Sequence, residues 1–240
     1  MAEASLPPIV ELQGRLAGAG DPARRAWWEG YLKGQARFRG VATPEVRQAA
    51  MAWWDVHAAD SLDPERQLDT CLRLLRAPWT EDKIAGMLIL GERLIPAGRV
   101  DHDVALPRFA SLYVEGHLAD WNAVDWYCVR VLGPLIRQAG TPCAESIATW
   151  VKSEVLWQRR SALVAFVTIA PSGQHAELIV RIAEQLVRDE ARFAQTAVAW
   201  TIRELGHARP DLTGPFLERH VNDMSEEARR QASGRRRRTS

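Results

Sequence analysis

Lysine is almost missing from this chain: three residues stand against 28 arginines. Cysteine is equally sparse. Cys71, Cys128 and Cys143 are odd in number and share no CxxC spacing, which excludes a disulfide framework or a zinc ribbon and suits a reducing cytosol. Apolar runs such as Met87-Leu88-Ile89-Leu90 fall far short of the roughly 20 residues that cross a bilayer, so no membrane partner is expected. The opening MAEASLPPIV has no basic segment followed by an apolar one and predicts no secretory signal. No glycine-rich phosphate loop and no nucleophile elbow occur. The six histidines are scattered without HxxxH or HExxH spacing, so neither a metal nor another cofactor is expected. Tyrosine (3) and phenylalanine (5) are scarce beside 10 tryptophans.

What remains is an ordinary globular composition: 240 residues, 47% hydrophobic, 25% charged, net charge +1. The arginine excess has a bland reading, coding bias, and a functional one, because the guanidinium fork matches phosphate oxygens. A near-neutral total does not exclude a basic face backed by an acidic one.

The dominant period is helical, and no strand-like alternation of useful length occurs. Thr43-Pro44 opens a helix through Glu45–Ala59, and Asp63-Pro64 the next, with Leu68, Cys71, Leu72 and Leu75 on one face. Thr80-Glu81-Asp82 starts a third. Asp120 caps a long helix through Val124, Val129, Leu132 and Ile136. Helices follow over 145–155, 157–170, 176–187 and 193–205, and Pro210 begins a final short pair. In each of Trp27-Trp28 and Trp53-Trp54, one member packs and the other is partly exposed. Antiparallel pairs with a period near forty residues read as an all-α, HEAT-like repeat superhelix. One such domain is expected over 1–228, followed by a basic, disordered tail over 229–240 that includes Arg235-Arg236-Arg237-Arg238.

Trp121 and Asp125, at i and i+4, share a helix face. Alone, that spacing favours a core tryptophan beside a surface aspartate near a helix N-terminus. Trp200 with Val198 and Ile202 reads equally well as core. Arg159-Arg160 reads as a solvated helix start, and adjacent arginines cannot share a face. Tyr31, Lys33, Arg37 and Arg39 form a basic-aromatic stretch that suits either backbone phosphates or a solvated helix end.

Four ordered segments carry a resemblance. They are Tyr31-Leu32-Lys33 with Phe38-Arg39-Gly40-Val41 and Thr43-Pro44-Glu45; Trp121 to Asp125; Trp157-Gln158-Arg159-Arg160-Ser161-Ala162; and Ala199-Trp200-Thr201-Ile202-Arg203-Glu204. Together they resemble the AlkD family of bacterial alkylpurine DNA glycosylases, built from HEAT-like repeats. The departures are Thr196, where relatives often carry a basic residue, and Ala199 in place of glycine. The resemblance implies a concave DNA-binding face and a catalytic set of Asp125, Trp121 and Trp200. It implies Arg160 as a DNA-contacting arginine; Arg159, Tyr31, Lys33, Arg37, Arg39 and Arg203 are further candidate contacts. The expected substrate is duplex DNA carrying cationic N3- or N7-alkylpurines, acted on by a cytoplasmic, nucleoid-associated monomer. The alternative is a non-catalytic HEAT-like binder of damaged, bent or branched DNA. A protein-interaction solenoid is a more distant third.

Overall fold

The computed structural model describes residues 6–233. Among these the fold is all-helical with no strand, and Arg37 and Trp79 form an isolated backbone bridge. No described helix is long and apolar enough to cross a membrane. The chain divides into two compact units, Met1–Val131 and Leu132–Ser240.

The first unit holds α1 (Ile9–Gly18), α2 (Pro22–Tyr31), α3 (Thr43–Val56), α4 (Pro64–Leu75), α5 (Thr80–Ile89), α6 (His102–Val114) and α7 (Trp121–Tyr127). Aspartates set most of the starts. Asp21, Asp63, Asp101 and Asp120 each accept a hydrogen bond from a backbone N–H of the first turn, at 2.8–2.9 Å. At α3 the cap is Ala42 rather than Thr43, and Glu45 supplies the missing partner by accepting from the Ala42 N–H at 3.0 Å. Three helices escape the apolar-period reading. Helix α2 buries none of its residues completely, so it has no apolar stripe to find. Helix α6 carries Pro107 inside it. Helix α1 buries only Leu12 and Leu16.

Trp53 and Trp54 correct the expectation that one member of the pair is exposed, because both are fully buried. Helix α3 packs against α1 and α5, so two adjacent positions each find a covering neighbour. Trp54 donates to Asp60 at 2.7 Å.

The long helix expected from Asp120 is broken. Helix α7 widens into a π turn over Cys128–Leu132, and α5 likewise into one over Leu90–Leu94. The two wide turns touch: a Cβ on Gly91 would lie 2.2 Å from the Arg130 carbonyl oxygen. Glycine at 91 is therefore a packing requirement.

The second unit holds α8 (Gly133–Ala139), α9 (Thr141–Ala148), α10 (Leu156–Val164), α11 (Ala176–Leu186), α12 (Arg192–Leu205), α13 (Pro210–His220) and α14 (Glu226–Ala232). Helix α14, capped by Ser225, packs on α12 with Ala228 and Ala232 buried. Residues 229–232, expected in the tail, are thus helical. Arg235 to Arg238 lie outside the described residues.

Candidate active site

Helix α7 sets the geometry of the site in the first unit. Its cap, Asp120, is buried; desolvation pushes its carboxyl above the usual range, and the Ala123 and Asn122 N–H groups pull the other way. Asn122, Ala123, Val124 and Tyr127 turn into the core. Trp121 and Asp125, one turn apart on the remaining face, are both half-buried. The indole of Trp121 meets the ring of Tyr31 edge-on, with centroids 5.8 Å apart at 77°. Ninety positions of sequence separate these two side chains, and the fold joins them.

Tyr31 continues into a second aromatic contact. Trp27 stacks on it at 5.1 Å and 10°, one turn earlier on α2. Both rings are open to solvent, Trp27 at 59% and Tyr31 at 56%. Trp28 turns inward instead and stacks on Phe38 at 5.4 Å. The result is an aromatic strip, Trp27–Tyr31–Trp121, ending beside Asp125. Sequence reasoning missed Trp27, whose only signal is its place four residues before Tyr31.

The loop after α2 carries the basic candidates, and they differ. Lys33 is exposed, at a left-handed φ of 52°. Arg37 is exposed, with its guanidinium 4.5 Å from the centre of the Trp79 ring and no ion pair among the described residues. Arg39 is held differently. Its side chain is 9% exposed and forks onto buried Asp82 at 2.6 and 3.1 Å. Burial pushes the Asp82 carboxyl up, against the pull of Arg39. Beside it, buried Glu81 accepts from the N–H groups of Arg39, Gly40 and Val41 at 2.7–3.2 Å. Gly40, at φ +86° and with its Cβ position 2.1 Å from the Asp21 carbonyl oxygen, admits no other residue without a shift. The Phe-x-Gly-Val segment is thus a tightly held loop with Arg37 on its outside. Glu81 and Asp82, read from sequence only as a helix start, hold that loop.

In the second unit Arg160 is 4% exposed. Its guanidinium donates to the Phe193 carbonyl at 2.7 Å and the Thr196 hydroxyl at 3.2 Å, joining α10 to α12. Arg159 pairs with Asp189 at 2.9 Å and donates to the carbonyls of Ser153 and Glu154. Arg203 pairs with Glu204 at 2.7 Å. These three guanidiniums are engaged within the unit. Trp200, on α12, is half-buried while its neighbour Ala199 is sealed. The arginine excess accordingly becomes, for the most part, an ion-pair lattice, as in Arg47–Glu92, Arg76–Glu115, Arg181–Glu145 and Arg192–Glu227. Cys71, Cys128 and Cys143 are buried, and none forms a disulfide.

Comparison with known proteins agrees with the sequence resemblance. The family model described as DNA alkylation repair enzyme matches residues 12–235. Among solved structures, a predicted DNA alkylation repair enzyme from Enterococcus faecalis superposes with a TM-score of 0.76 at 19% identity, covering 91% of this chain and 97% of that one. AlkD2 from Streptococcus mutans superposes with a TM-score of 0.58 at 15% identity, covering 80% and 89%. These two likenesses are of fold. No curated protein matches the chain significantly.

Proposed function

Because the chain belongs to the family of DNA alkylation repair enzymes, we propose that it is a monofunctional glycosylase releasing cationic N3- or N7-alkylpurines from duplex DNA. The observation that carries the reading is the pairing of a half-open carboxylate, Asp125, with the half-open indole of Trp121 on one helix face, at the end of an exposed aromatic strip.

The chemistry suits so sparse a site. Alkylation at N3 or N7 makes the purine a cation. When the bond from C1′ to the base nitrogen breaks, the electron pair leaves with the base, which departs neutral. No general acid is required, unlike ordinary glycoside hydrolysis with its two carboxyl groups. Positive charge develops on the deoxyribose. Asp125 stabilises that charge and orients the water whose oxygen bonds to C1′ and whose proton is lost to the carboxylate or to solvent. At about 4 Å and an effective dielectric near 20, two unit charges attract by about 4 kcal/mol. Expressed only in the transition state, that is a rate factor on the order of 10³. The indole face of Trp121 adds cation–π attraction to the same charge. Trp200, half-open on α12 of the second unit, keeps the role that the family resemblance implies for it. Arg160 serves by positioning α12, Lys33, Arg37 and Tyr31 by meeting the DNA backbone.

The decisive experiment is incubation with duplex DNA containing N7-methylguanine, scoring free base and abasic sites. Release of both supports the glycosylase. Binding without release moves the protein to the non-catalytic alternative. Selectivity by bond lability also requires that uracil and hypoxanthine, which are uncharged, stay in the DNA.

A further inference from the structure

A cavity of about 240 Å³ lies at the foot of α7, lined by Arg37, Lys83, His117, Gln35, Thr80 and Asp120. Its chemistry is distinct from that of the aromatic strip. The Arg37 guanidinium lies over the Trp79 ring, and the residue's carbonyl accepts from the Thr80 N–H at 2.9 Å, so both ends of the residue are held. Lys83 rises from α5, half-buried, and donates to the His117 carbonyl. Neither Arg37 nor Lys83 forms an ion pair among the described residues, in a protein whose arginines are otherwise mostly matched with acids. Burial and the neighbouring cations hold the His117 imidazole below its usual range, and burial does the same to Lys83. Two acids are near. Glu115 faces Arg76 and His117, and Asp120 accepts from the N–H groups that start α7 while also attracting the Lys83 ammonium.

We propose that this cavity is a phosphate-binding subsite, taking one phosphodiester of the DNA strand whose sugar faces Asp125. Two anchored cations, Arg37 without an ion pair and Lys83 attracted by the buried Asp120 but in no salt bridge with it, in a recess that admits a phosphate, are what backbone recognition needs. The placement agrees. From Asp120 to Asp125 the helix rises about 7.5 Å, and a strand advances about 3.4 Å per nucleotide along its axis. The phosphate held here therefore lies within about two nucleotides of the reacting sugar. This subsite rests on the DNA-repair reading, but it predicts binding rather than turnover.

The test is the salt dependence of binding to an undamaged duplex, which no excision can affect. Each phosphate neutralised by the protein adds roughly 0.9 to the slope of log affinity against log salt. The double variant Arg37→Gln/Lys83→Gln is expected to lower that slope by roughly this amount and each single variant by part of it, with Lys83→Arg keeping the wild-type slope. With one phosphate fewer neutralised, the fall in affinity between 50 and 200 mM salt is about threefold smaller. If Lys83→Gln fails to fold, Arg37→Gln alone decides the matter, because its side chain is exposed. Unchanged slopes overturn the proposal. A melting temperature raised by millimolar inorganic phosphate over chloride, lost in Arg37→Gln while the slope is unchanged, assigns the cavity to free phosphate and also overturns it. Lowered slopes in a protein that never releases N7-methylguanine keep the subsite and defeat only the glycosylase.

Discussion

Asp125 carries the chemistry at the scale of a single residue, and its charge is separable from its shape. Asp125→Asn keeps the volume and removes the charge opposing the sugar cation. Single-turnover release of N7-methylguanine is expected to fall by on the order of 10³, while affinity for the same duplex holds or tightens because a repulsion from phosphate is gone. Wild-type release rates in this variant sink the electrostatic account. Arg39 shows the opposite case: a guanidinium whose fork is taken by buried Asp82. A buried pair of this kind is costly to break from one side, so Arg39 belongs to the loop's architecture.

Two devices between elements hold the first unit's candidate site in place. Gly91 lets the π turn after α5 approach the π turn after α7, which begins three residues beyond Asp125. Gly91→Ala forces a Cβ against the Arg130 carbonyl. Overpacking of this sort costs about 1–3 kcal/mol, and a chain of this length loses roughly 2–4 °C per kcal/mol. A lower melting temperature with slower base release is expected; calorimetry showing no loss means that the carbonyl moves aside freely. The other device is the clasp between the ends of α4 and α6, where Arg76 forks onto Glu115 at 2.8 and 3.2 Å. Arg76 holds the Glu115 carboxyl down at about 2, against an ordinary 4.5. A depressed carboxylate stabilises the fold above its unfolded-state value and loses that contribution as pH falls toward the folded one. The stability gap between wild type and Glu115→Gln is expected to be full at pH 6 and to close between about 4.5 and 2. Urea melts across that range measure it, and a gap independent of pH refutes the clasp. Solvent exposure of both partners keeps the gap small.

Across the whole molecule, charge is arranged for internal pairing. With a net charge of +1 and most arginines matched to acids, DNA binding depends on a few unpaired cations and on whatever Arg235 to Arg238 add. Deleting residues 234–240 leaves α14 intact on α12. If those arginines meet phosphates, the deletion lowers the salt slope by roughly 0.9 for each phosphate they neutralise. An unchanged slope assigns them to solvent. Deletion from 229, by contrast, cuts into a helix that buries Ala232 and destabilises the second unit.

Helix class, the aspartate caps, and the ordered segments around Phe38, Trp121, Trp157 and Trp200 are local properties, set by neighbours within a few residues. The sequence alone determined them, and the family with them. Helix α2 was invisible because its apolar residues make no stripe, and the π turns because widening one turn leaves the period almost unchanged. What only tertiary structure decided is which side chains are available. Arg37 and Arg39 are two positions apart and chemically identical. Both guanidiniums lie over Trp79, but one is open and the other forks onto buried Asp82, because Trp79 and the Asp82 of α5 reach the loop from forty residues away. Availability of charge is a sum over distant partners, and no window of sequence contains them.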